Sequence, residues 1–205
     1  MTTKEIKISK TLENGARFSC KLCGRCCRGF NEGEVYLYLE DIERLANILN
    51  LKGNAGLRKF AKEHLKIVND SFYWKEPGAS RGKTYRYKSL GFKFIGDDEH
   101  CEFLAEDNSC SIHDASPFQC RCFPFWQMTV SNPKTLAEYS KKCPGLQDKD
   151  CKDAKFYSKE EIFNWAKNEQ ELEKHYFLKM RENKFDIFKV YPFLPRDLLT
   201  ENEQR

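Results

Sequence analysis

Residues 20–27 read Cys20-Lys-Leu-Cys23-Gly24-Arg25-Cys26-Cys27. A C-x-x-C turn brings two sulfurs to one metal, and a glycine directly after the second cysteine permits the tight backbone turn beneath it. Cys26 adds a third thiolate at the same spacing. Cys27 adjoins it, and in an extended backbone its sulfur points the other way. One segment then feeds two sites, or leaves a thiol for redox chemistry. Lys21, Arg25 and Arg28 add positive charge, which favours thiolates and offsets an anionic tetrathiolate centre.

Further along lie Cys101, Cys110, Cys120, Cys122 and Cys143, with Cys151 beyond. No pair among them has C-x-x-C spacing. Together with the first cluster they supply enough sulfur, because four thiolates complete a zinc site and also an iron–sulfur cluster. Thiolate number does not separate the two metals. A two-cluster ferredoxin run, C-x2-C-x2-C-x3-C-P, fails at residue 30, which is Phe. The C-x3-C-x2-C loop of radical S-adenosylmethionine enzymes fails as well, since Cys20, Cys23 and Cys27 give its gaps in reverse. His113, three residues after Cys110, reads as a hydrogen-bonded surface histidine ahead of a mixed-site ligand. His100 adjoins Cys101 and is read with the same reserve. His64 and His175 sit in helical patterns beside charges and are expected in solvent.

Ten cysteines in 205 residues are too few for a small disulfide scaffold and too many to be incidental. MTTKEIKISK has no apolar signal core, and no apolar stretch reaches the ~18 residues that span a bilayer. A reducing, cytoplasmic setting without membrane association is the expectation, and thiols there read as metal ligands or redox groups. With 40% hydrophobic and 32% charged residues, mean hydropathy −0.72, 16 Phe, 9 Tyr and 3 Trp, the chain can build a core. The net charge of +4 comes from an excess in residues 1–100 and is small for a nucleic-acid-binding domain. Arg81, Lys83, Arg86, Lys88 and Lys93 alternate with Tyr85, Tyr87, Phe92 and Phe94. A strand with one face in the core produces this pattern more readily than a platform for stacking bases.

The spacing predicts a strand at 35–40, a helix through Ile42, Leu45, Ala46 and Leu49 with Asp41 near its start, and a break at Gly53 and Gly56. It predicts a second helix through Leu57, Phe60, Ala61, Leu65 and Val68, and a hairpin over 84–95 bent at Ser89–Gly91. Asn132-Pro133 opens a short helix that stops near Cys143-Pro144-Gly145. Ser158 with Glu161 forms a capping box for a helix to about 183, and the proline-bearing tail YPFLPRDLL cannot prolong it. The expected fold is α+β: a small irregular metal-organised core with few short strands and several helices over 1–150, and a helical C-terminal extension over 151–205 packed on it.

The blocks Cys20–Cys27, Cys101-Glu-Phe-Leu104, Cys110-Ser-Ile-His113, Ser116-Pro117-Phe-Gln-Cys120-Arg121-Cys122-Phe123-Pro124 and Cys143-Pro144-Gly145 occur in the order of the CxxCxxCC cysteine-cluster family, which residues 15–146 resemble. Members are described as zinc- or iron-chelating domains, often as iron–sulfur proteins. The resemblance implies Cys20, Cys23, Cys26, Cys27, Cys101, Cys110, Cys120 and Cys143 as metal ligands. Ser116 departs from the family's usual Arg before Pro117, and Cys122 and Cys151 are additional. The same cluster occurs in flagellin lysine N-methylases. No G-x-G-x-x-G, G-x-x-x-x-G-K-[ST], H-E-x-x-H or G-x-S-x-G is present, so the cysteines carry the only visible chemistry. The expectation is a metal-binding protein with one or two cysteine-ligated centres, zinc or iron–sulfur. Catalysis is left open, as are an unidentified protein partner or substrate, an iron–sulfur redox or protein-modifying role, and an interaction module.

Overall fold

The computed structural model describes residues 5–31, 33–147 and 152–199. Cys151 and the expected division at 150/151 lie outside them. The elements run β1 (Ala16–Arg17), β2 (Tyr36–Leu37), α1 (Leu39–Ile48), α2 (Gly53–His64), β3 (Leu65–Trp74), β4 (Lys83–Phe92), β5 (Phe94–Ile95), β6 (His100–Cys101), α3 (Phe118–Cys122), α4 (Gln127–Ser131), α5 (Pro133–Lys142), β7 (Phe156–Tyr157), α6 (Lys159–Glu182) and α7 (Ile187–Val190). The fold is mixed α+β. A three-stranded antiparallel sheet has the order β2-β4-β3, and two-stranded ribbons join β1 to β7 and β5 to β6.

β3 and β4 pair along their full length, from Leu65 opposite Phe92 to Trp74 opposite Lys83. This corrects two expectations. Leu65 and Val68 match helical spacing, yet α2 ends at His64 and both residues belong to a strand whose β-branched and aromatic residues suit the pleat. Ser89–Gly91 lies inside β4, so the hairpin bend falls between the strands, over residues 75–82, where Pro77 and Gly78 punctuate the chain. Gly53 opens α2 in place of breaking it, at a φ of +63°. The expected strand at 35–40 shortens to Tyr36–Leu37 because α1 already begins at Leu39.

The inner side of the β3–β4 ribbon explains the aromatic alternation. Tyr85 and Tyr87 lie against Phe177 and Phe185, and Phe72 and Trp74 against Phe177. Arg86 and Lys88 stand on the exposed face. The tyrosines are thus absorbed by the core. Phe60, Leu65, Leu90, Phe92, Phe177 and Met180 are among its most deeply buried members. A second cluster gathers Ile6, Leu12, Phe125, Val130, Leu136, Ile162 and Ala166.

Helix α6 ties the two clusters together. Its Ser158–Glu161 capping box closes the N-terminus as the sequence predicts. Its 24 residues span about 36 Å at 1.5 Å each. Ile162 and Ala166 enter the second cluster, and Tyr176, Phe177 and Met180 the first. Between them, Glu169 and Glu173 stand one turn apart and largely out of water. Burial holds both carboxyls protonated to unusually high pH, Glu169 to about 7 and Glu173 to about 8, the second helped by the charges of Glu169 and Asp70. The proline-rich tail folds back, burying Tyr191, Phe193, Leu194 and Leu198 in the main core. No helix among the described residues is long and apolar enough to cross a membrane.

Candidate metal centre

The cysteine-bearing segments meet through backbone contacts. In the first turn, Leu22 and Gly24 adopt left-handed backbone, with φ of 48° and 68°. A Cβ on Gly24 would stand 2.5 Å from Arg28 Nη1 and 2.8 Å from Asn108 Oδ1, so the turn presses onto the 104–108 loop. Glycine is favoured there by the left-handed conformation. Arg28 fastens the same contact: its guanidinium donates to Asp98 at 3.0 Å and to the Gly24 carbonyl and Asn108 at 3.3 Å.

Residues 101–111 form a compact loop. Leu104 N–H donates to the Cys101 carbonyl and Ser111 N–H to the Phe103 carbonyl, each at 2.9 Å, and Leu104 bridges to Cys110. Cys101 and Cys110 are thereby brought together. On the far side, a Cβ on Gly145 would lie 2.3 Å from the Ser19 carbonyl oxygen, so Cys143-Pro144-Gly145 is seated on the residue before Cys20. Arg25 donates to the Lys142 carbonyl at 2.7 Å and holds that seat.

Cys120 arrives on the one-turn helix α3. Asp41, buried in α1, accepts from Phe118 N–H at 3.0 Å and from Arg44 at 2.6 Å. Arg44 also donates to the carbonyls of Ala115 and Ser116. Gln119 pairs with the edge of β2 like a short strand, accepting from Tyr36 N–H at 2.6 Å and donating to the Glu34 carbonyl at 3.0 Å. Asp41 drew notice in the sequence only as a helix-start charge, and a single Gln or Arg carries no pattern that would reveal this bracing.

The thiols also act on one another's charge. Cys20 is pushed up chiefly by burial, then by Cys26 and Cys23. Burial raises Cys143 to about 11, with Cys23, Cys26 and Cys20 adding to it, and raises Cys101 to about 12, with Cys110, Glu102 and Cys26 contributing. Cys110 is raised by burial, then by Cys26 and Cys20. Cys26 is held well above the ordinary thiol range, first by its hydrogen bond with the Cys27 thiol. Cys120 is exposed by surface area, while surrounding protein and the Cys101, Cys26 and Cys110 thiols push it up; the surface area governs access to it. The Cys26–Cys27 pair opens a 3-10 helix over Cys26–Asn31, which corrects the expectation of an extended backbone with opposed sulfurs.

Among the described residues, no three His, Cys, Asp or Glu side chains close on one point tightly enough to hold a metal as they stand. The thiols are gathered but not converged. The donor set nevertheless suits a thiophilic metal. Cys20, Cys101, Cys110 and Cys143 each accept a backbone N–H from two residues on, from Leu22, Phe103, Ile112 and Gly145. These bonds work against burial, which is the larger effect and leaves each of the four thiols above its ordinary pKa.

The remaining candidates are placed elsewhere. Cys122 is fully buried beside the carbonyls of Phe125 and Trp165 and packs as a small apolar group. His113 is exposed, 3.4 Å from Asp114, and His100 pairs with Asp98 at 2.5 Å. His64 departs from the solvated state expected of it. Its ring packs on Phe60 and Phe103, and Nδ1 meets Glu102 at 2.8 Å. His175 is exposed, as its charged surroundings predict.

No solved structure matches the chain. A family model described as "Putative zinc- or iron-chelating domain" matches residues 19–144, from the residue before Cys20 to the residue after Cys143. The matched span covers the first turn, the 101–111 loop, α3 and the Cys143 seat, and the chain belongs to the CxxCxxCC family.

Proposed function

We propose that the cysteine cluster binds zinc and that the metal organises the loops around it. The ligands come from Cys20, Cys23, Cys26, Cys27, Cys101, Cys110, Cys120 and Cys143. The observation that carries this is the backbone packing that brings three cysteine-bearing segments far apart in sequence together, with Gly24 against Asn108, Gly145 against Ser19 and Arg25 on the Lys142 carbonyl. Few regular elements join those segments, so metal–sulfur bonds replace the packing that short irregular loops lack. Structural zinc binding contributes on the order of 10–16 kcal/mol, comparable to the whole stability of an ordinary domain.

Anaerobic purification followed by metal and acid-labile sulfide analysis tests the proposal. A colourless protein carrying zinc, whose melting temperature falls sharply on chelation, supports it. A brown protein with stoichiometric iron and sulfide overturns it and assigns the same thiols to an iron–sulfur centre. A metal-free protein whose melting is unchanged by added zinc also overturns it.

A further inference from the structure

The second apolar cluster opens to solvent on one side. A cleft of about 610 Å³ lies between the β1–β7 ribbon and the end of α5, within the roughly 300–1,000 Å³ over which small-molecule sites fall. Its floor is Leu12, Phe125 and Leu136, three buried members of that cluster. Leu146 and Phe156 wall it, and Phe156 is half exposed. Arg17 and Lys152 are the only charged side chains lining it among the described residues. Both are exposed and so stand at its rim. Neither pairs with a carboxylate among the described residues, and Asp153, next to Lys152, is exposed and lines no part of the cleft. Arg17 is already held in place: Nη1 donates to the Ala154 carbonyl at 2.6 Å, and the guanidinium stands 5.8 Å from the centre of the Phe156 ring. That uses one of its five N–H groups and leaves the others for a ligand.

We propose that this cleft binds an apolar carboxylic acid, the carboxylate on Arg17 and Lys152 and the hydrocarbon on Leu12, Phe125 and Leu136. The rim supplies two positive charges and no negative one, which favours an anion and repels a cation. The guanidinium matches a carboxylate through charge-assisted hydrogen bonds, and its fixed position reduces the ordering that binding would otherwise require. The floor favours a ligand with an apolar body, since covering it removes hydrocarbon surface from water. A nucleic-acid backbone has the charge but would leave that floor unused. Arg17 lies three residues before Cys20 and Leu146 three after Cys143, so the ligand touches both segments that the metal centre joins. The proposal does not depend on which metal is bound there.

Calorimetric titration of the full-length protein tests it, at fixed metal content and below the micelle-forming concentration of each probe. Decanoate is compared with decyltrimethylammonium, which has the same tail and the opposite charge. Decanoate is expected to saturate at one per chain, and decyltrimethylammonium to bind at least about tenfold more weakly. Arg17→Gln should weaken decanoate by about tenfold or more, the loss of a charge-assisted bond. Ser140→Trp, which sets an indole into the cleft from α5, should abolish binding. Circular dichroism checks that each variant folds. If either does not, Lys152→Gln, on an exposed side chain, takes its place and should also weaken decanoate. Absence of saturable decanoate binding overturns the proposal, as does equal binding of the two probes. Unchanged decanoate affinity in any of the folded variants overturns it too.

Discussion

Glu173→Gln should stabilise the protein at neutral pH and do nothing in acid. The carboxyl sits mid-way along α6, where burial and the charges of Glu169 and Asp70 lift its pKa from the usual 4.5 to about 8. Below pH 4.5 it is protonated whether the chain is folded or not, and it adds nothing to the pH dependence. Between 4.5 and 8 the folded state retains a proton that the unfolded state releases, so stability falls as pH rises through that window. Each pKa unit is worth ~1.4 kcal/mol. The pH interval from 4.5 to 7 sets a ceiling of about 3.4 kcal/mol, and partial contact with water reduces it to roughly 1–3 kcal/mol. Glutamine keeps the shape and carries no proton to lose. The assay is urea denaturation of both proteins from pH 4.5 to 9 at matched metal content, so that metal linkage cancels in the difference. The expected difference is near zero at pH 4.5, grows with pH, and levels off above 8. A pH-independent difference, or a variant less stable than the wild type at pH 8, would refute the assignment of a desolvated, proton-retaining carboxyl.

Three other outcomes are expected. Gly145→Ala should weaken zinc retention at least tenfold in competition with a chromogenic chelator, because the added Cβ would lie 2.3 Å from the Ser19 carbonyl and push Cys143 off its seat. Cys122→Ala should leave metal content unchanged by mass spectrometry and cost about 1 kcal/mol in denaturation, the price of a small cavity beside Trp165. Leu22→Gly should raise the melting temperature by a few degrees, since the left-handed backbone at Leu22 costs ~1–2 kcal/mol that glycine avoids, whereas Leu22→Val should lower it.

How much of this was legible in the sequence depends on how local each cause is. The α6 capping box, the first-turn glycine and the amphipathic stripe of α1 are encoded within a few residues, and all were readable. The extent of β3 was not, because Leu65 and Val68 fit a helical stripe as well as a strand, and only pairing with Phe92 and Ser89 decides between them. The bend placed at Ser89–Gly91 failed for the same reason: a glycine opposite Lys66 in a sheet looks like a turn until its partner strand is known. At the site, the C-x-x-C spacing and the ordered blocks named thiols on segments that the backbone brings together, and Cys122, which the sequence counts as an extra, is buried beside Trp165. The approach of the cysteine-bearing segments lay beyond reach, since it depends on the Gly145–Ser19 contact and on Arg28 reaching the 98–108 loop. Gln119 was invisible because its role comes from an unpaired strand edge elsewhere in the chain.

The β1–β7 ribbon joins Ala16 to Tyr157 and Arg17 to Phe156, three residues before the first thiol. Bringing those ends together carries the entropic cost of a long loop. During synthesis, then, Cys20 and Cys23 emerge well over a hundred residues before the strand that fixes their approach. The first thiols are thus made long before the residues that pair beside them.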